Sequence, residues 1–107
     1  MEITPRRTEQ YLGYTLSPEA KTILRLAYYG DAGRIYVANT GIWVGGDKVT
    51  TTETPYSRQY AKFVAAIRQL LKQGLAEPIL GERDNYLMVS SAGFDAYEII
   101  ERGELSL

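Results

Sequence analysis

Apolar residues recur at helical spacing through the middle of the chain. Tyr60, Phe63, Val64, Ile67, Leu70 and Leu71 fall on one face at 3.6 residues per turn, whereas Arg58, Lys62, Ala65, Gln69 and Lys72 gather opposite them, with Arg68 at the border. The pattern predicts a helix beginning near Tyr56, behind a Thr54-Pro55 start in which the hydroxyl caps and the proline sits where its missing N–H costs nothing. Gly74 ends it, and Leu75 is then placed to touch Leu70, the apolar contact of a Schellman close. One face of this helix builds a core and the other is basic.

A second helical pattern precedes it. Ser17-Pro18-Glu19 combines a hydroxyl N-cap, a proline in the first turn and a carboxylate facing the positive end of the helix dipole. From there Ala20, Ile23, Leu24 and Ala27 line one face, Leu26 flanks it, and the helix runs to about Tyr29 before Gly30. After the turn Gly30-Asp31-Ala32-Gly33, Arg34 to Ala38 is β-branched and aromatic enough for a strand with Ile35 and Val37 on one side. Ile42-Trp43-Val44 repeats that character, Gly45-Gly46-Asp47-Lys48 reads as a hairpin tip, and Val49 to Thr52 as the return.

Beyond the central helix, Ala76 to Leu80 and Tyr86 to Ser90 are short strand patterns separated by the polar run Gly81-Glu82-Arg83-Asp84-Asn85, a second hairpin. Ser90 or Ser91 caps a last helix from Ala92 to about Arg102, with Phe94, Ala96, Tyr97 and Ile100 able to reach the core and Gly103 as its stop. The chain divides into an N-terminal arm (1–16) that packs Tyr11 or Tyr14 onto the domain, a domain (17–103) and a tail (104–107).

Composition narrows the chemistry. At 107 residues there is room for one core and not for two. There is no cysteine and no histidine, which removes disulfides, thiol nucleophiles, thiolate metal sites, the commonest general base and the commonest transition-metal ligand. Glu98 and Glu101 have a paired-carboxylate spacing, but with no histidine or nucleophile they are expected to be the wet face of the last helix. Gly81 to Asn85 lacks calcium-loop spacing, and Gly45-Gly46-Asp47-Lys48 lacks the phosphate-loop order. The expectation is a non-enzymatic protein without metal or cofactor, acting by binding. No run of about twenty apolar residues is present to span a membrane, and no apolar segment follows Arg6-Arg7 to make a secretory signal, so the cytoplasm is the expected location.

The order helix, strand, basic-faced helix, two-stranded hairpin and closing helix resembles that of winged-helix domains. The likeness is sharpest in Phe63-x-x-x-Ile67-x-x-Leu70-Leu71-x-x-Gly74-Leu75, a hairpin, then Tyr86-Leu87-Met88-Val89-Ser90-Ser91-Ala92-Gly93-Phe94, which is similar to the pattern of small bacterial winged-helix domains. It covers roughly Ser17 to Arg102 and consists of core positions. What it implies is an α+β, winged-helix-like fold in the order α-β-(β hairpin)-α-β-β-α, with residues 76–90 as the wing. In one respect the chain departs from the family: a standard winged helix has a short supporting helix before the recognition helix, whereas Asn39 to Thr50 is rich in glycine and β-branched residues and takes a hairpin or loop.

The candidate binding residues follow. Arg58, Lys62, Arg68 and Lys72 can neutralise phosphates, Gln59 and Gln69 can hydrogen-bond base edges, and Arg83 at the wing tip is the companion contact implied by the resemblance. The same residue types are also good helix formers on a solvated surface. A net charge of −1 supplies no global field, so attraction to DNA has to be local. The other expected partner is a protein, for which Tyr29 and Trp43 are the candidate anchors. A homodimer is open on either account.

Overall fold

The computed structural model describes residues 16–30, 33–53 and 57–105, with side chains as far as Glu101. Expectations for Arg6, Arg7, Tyr11 and Tyr14 in the arm, for Asp31 and Ala32, for Thr54-Pro55-Tyr56 and for the last two residues of the tail lie outside the described residues.

Helix α1 (Pro18–Tyr29) begins as its sequence dictates: the Ala20 N–H donates to Ser17 Oγ at 3.1 Å, and Pro18 occupies the first turn. Ala20, Ile23, Leu24 and Ala27 are all buried. Gly30 ends the helix in an extended conformation, and glycine is required there for a different reason from a left-handed cap. A Cβ at Gly30 would stand 2.6 Å from Gly45 Cα, so the helix end lies directly against a strand turn.

That turn joins β2 (Gly41–Val44) to β3 (Asp47–Thr51), and β1 (Arg34–Ala38) precedes them. Gly45 and Gly46 both have positive φ, 61° and 96°, the two-residue connection whose twist suits a hairpin. The turn is therefore shorter than the sequence pattern suggests, and Asp47 and Lys48 belong to the return strand.

Helix α2 (Ser57–Lys72) buries Phe63, Ala66, Ile67 and Leu70, with Tyr60, Val64 and Leu71 partly buried beside them. Its end is a full Schellman motif: Leu75 N–H donates to the Leu70 carbonyl at 2.8 Å, Gly74 N–H to that of Leu71 at 3.1 Å, and Gly74 has φ 75°. Leu75 returns fully buried to the core.

Strands β4 (Ala76–Pro78) and β5 (Tyr86–Val89) are shorter than predicted. Ile79 N–H still reaches the Tyr86 carbonyl, but Glu82 N–H turns back to Ile79, so Leu80 leaves the ladder and is 98% exposed. Helix α3 (Ser91–Leu105) runs through Gly103, where a stop is predicted. A glycine inside a helix costs about 1 kcal/mol against alanine, a bias that the rest of a helix can absorb.

The five described strands form one antiparallel sheet in the order β3-β2-β1-β5-β4. Ile35, Ile42, Val44, Leu87 and Val89 point to the face covered by the helices, and α1 packs against both α2 and α3. Among the described residues the architecture is α+β: three helices on a five-stranded antiparallel sheet. Each leucine or isoleucine of this core contributes about 1.5–3 kcal/mol of burial.

Candidate binding surfaces

Because α2 commits its Phe63–Ala66–Ile67–Leu70 stripe to the core, its opposite stripe must face outward. Arg58, Lys62, Arg68 and Lys72 are all exposed there, with Ala65 exposed between them. The helix contains no acidic residue, and none of the four cations is paired with a carboxylate among the described residues. The two glutamines of the same helix differ from the cations. Thr50 Oγ1 donates to Gln59 Oε1, and Ser17 N–H to Gln69 Oε1, each at 3.4 Å, so both carbonyl oxygens tie α2 to its neighbours in the fold. Gln59 also forms a wall of a shallow cleft with Lys48, Thr50 and Glu53.

At the β4–β5 connection Arg83 is exposed between two exposed acids, Glu82 and Asp84. These flanking charges offset its attraction for a phosphate. Leu80 and Arg83 share this loop, which therefore has an apolar and a cationic projection.

Trp43 lies on the sheet face away from the helices. There the register sets Lys48, Trp43, Tyr36 and Tyr86 side by side on β3, β2, β1 and β5. Tyr36 and Tyr86 stack with centroids 4.7 Å apart and planes 28° from parallel, Trp43 tilts against Tyr36 at 5.7 Å, and Lys48 Nζ sits 5.2 Å from the indole centroid. Rings stacked at the strand spacing turn their faces to one another and their edges outward. Trp43 is half-buried by its neighbours in this row, not by the helical core.

The fourth surface brings Tyr29 together with Glu98 and Glu101, the pair expected on the wet face of the last helix. At the C-terminal end of α1, Tyr28 donates its hydroxyl to Glu98 Oε2 of α3 at 2.7 Å. Its ring lies 4.9 Å from that of Tyr97 and 5.1 Å from that of Tyr29, the latter pair nearly perpendicular at 75°. Tyr28, Tyr29, Tyr97, Glu98 and Glu101 line an open cleft of about 370 Å³. The environment opposes added negative charge. Its hydrogen bond to Glu98 raises the Tyr28 pKa, and burial followed by hydrogen bonds with Glu101 and Tyr29 raises that of Tyr97. The sequence signals were the Tyr28-Tyr29 pair at a helix end and the Tyr97-Glu98-x-x-Glu101 run; only the topology puts them opposite one another.

No group of three or more acidic side chains among the described residues is arranged to hold a metal, and none of the described helices is long and apolar enough to cross a membrane. Comparison of the chain with protein-family models, with curated proteins and with solved structures gives no match.

Proposed function

We propose that this chain is a non-enzymatic, winged-helix-like domain that binds DNA through the outer face of α2, with the β4–β5 hairpin as its wing, and serves a regulatory role. The observation that carries this reading is the acid-free row of Arg58, Lys62, Arg68 and Lys72, unpaired among the described residues, on a helix whose other face is in the core. A rigid helix with four outward cations can follow phosphates without first being ordered. In the strand order β1 pairs with β5, and β5 with β4, so the wing hairpin lies beside the first strand. The β2–β3 hairpin occupies the chain interval in which that family places its supporting helix, so α2 would dock without a helix-turn-helix partner. With both glutamine oxygens engaged in the fold, binding is expected to be driven by phosphates and weakly selective for sequence.

A gel shift on mixed duplexes at low salt tests the proposal. Wild type should retard DNA at micromolar protein, and Lys62→Glu with Lys72→Glu should abolish the shift. Absence of any shift for wild type sinks it.

One observation favours a second employment, as a protein-interaction module: the Trp43–Tyr36–Tyr86 row on the uncovered sheet face. A pull-down comparing wild type with Trp43→Ala and Tyr29→Ala addresses it, and an unchanged set of partners counts against both anchors.

A further inference from the structure

Three features of the cleft between the end of α1 and α3 suit a cation. First, its lining includes three tyrosines: the rings of Tyr28, Tyr29 and Tyr97 lie at mutual centroid distances of 4.9–6.1 Å, with Tyr29 and Tyr97 at 88°. Tyrosine rings attract cations to their faces through the ring quadrupole. Second, Glu98 and Glu101 line the same cleft, one turn apart on α3, and no basic side chain among the described residues lines it. Third, the cleft sits at the last turn of α1, the negative end of that helix dipole, and that turn holds no basic residue.

We propose that this cleft binds the guanidinium of an arginine on a basic peptide segment of a partner protein. Arginine fits better than lysine because its planar head can lie on a tyrosine ring while its N–H fork reaches a carboxylate. Its methylene stem covers the exposed part of Tyr29, which is 69% accessible. Charge selects the ligand: the chain offers anions to a basic partner here and cations to DNA on α2, so the two surfaces do not compete for the same molecule. The inference does not depend on DNA binding, and either can fail alone.

The probe is a short peptide with one central arginine flanked by glycines and blocked termini, titrated into the full chain while the ring resonances of Tyr28, Tyr29 and Tyr97 are followed by NMR. Peptides with lysine or glutamine at the centre run alongside. The arginine peptide should give saturable shifts confined to these rings, with weaker shifts for lysine and none for glutamine. Glu98→Gln with Glu101→Gln, which removes both charges but keeps an amide oxygen to accept from the Tyr28 hydroxyl, should weaken binding by about tenfold, as expected for two surface ion pairs. Tyr29→Ala, at an exposed position outside the core, should weaken it separately. Equal shifts from the arginine and glutamine peptides, or undiminished binding by the double glutamine variant, overturn the proposal. So does a cleft already filled by the chain itself: either ring shifts on Arg6→Gln with Arg7→Gln in the absence of peptide, or a concentration-dependent dimer that Tyr29→Ala dissolves.

Discussion

Ser90 donates its hydroxyl to the carbonyl of Gly74 at 2.7 Å and so joins the start of α3 to the end of α2. The same oxygen accepts the Gly93 N–H at 3.1 Å, which makes it the N-cap of α3. The Ser90 N–H completes the junction by donating to the Leu75 carbonyl at 3.0 Å. The Gly-Leu and Ser-x-x-Gly segments, separated by a hairpin in sequence, thus form one hydrogen-bonded unit. Ser90→Ala removes a cap and leaves a carbonyl without its donor, so it should cost about 1–3 kcal/mol, read as a lower urea midpoint at unchanged slope.

Two glycines in this junction should respond differently to alanine. Gly74 has φ 75° but open space around it, so Gly74→Ala meets only backbone strain, about 1–2 kcal/mol. Gly93 has ordinary dihedrals for a helix, but a Cβ there would run into the Leu75 carbonyl and Val89 Cγ1. Gly93→Ala requires the α2–α3 junction to open and should cost at least as much, about 1–3 kcal/mol or more. Thermal unfolding of the two variants side by side checks the order; a Gly93→Ala protein more stable than Gly74→Ala contradicts the packing described.

The α1–α3 contact should show itself at alkaline pH. The folded state raises the pKa of Tyr97, through burial and then its hydrogen bonds with Glu101 and Tyr29, and that of Tyr28 through Glu98. A raised folded pKa gives stability that is fully present below the unfolded value, about 10 for tyrosine, and lost as pH rises toward the folded one. The wild-type denaturation midpoint should therefore fall above about pH 10. Tyr97→Phe should fall less steeply over the same window. Parallel curves for the two proteins would show that Tyr97 is not held in this environment.

Much of this architecture could be read from the chain because its signals are local. Ser17-Pro18 and Gly74-Leu75 each carry their own hydrogen-bonding solution, and the spacing of Ile23, Leu24 and Ala27 or of Phe63, Ile67 and Leu70 names a buried face without reference to any partner. Other features depend on more than the local sequence. Gly30 is fixed by Gly45, a neighbour fifteen positions away, and Gly103 fails to stop α3 although its type suggests a stop. The candidate surfaces divide the same way. The cations of α2 follow from its period, whereas Gln59 and Gln69 are held by Thr50 and Ser17, and the Tyr28–Glu98 bond links residues seventy positions apart.

DNA binding through α2 is tested most directly by the salt dependence of duplex affinity, measured by fluorescence anisotropy for wild type and for Lys62→Gln with Lys72→Gln. If Arg58, Lys62, Arg68 and Lys72 each neutralise one phosphate, log K against log salt should slope at about −3.6 for wild type and about −1.8 for the double variant. Between 50 and 200 mM salt, wild-type affinity should then drop about a hundredfold. Binding whose slope is the same in both proteins, or no measurable binding at the lowest salt, would contradict the assignment of α2 as the DNA-facing helix.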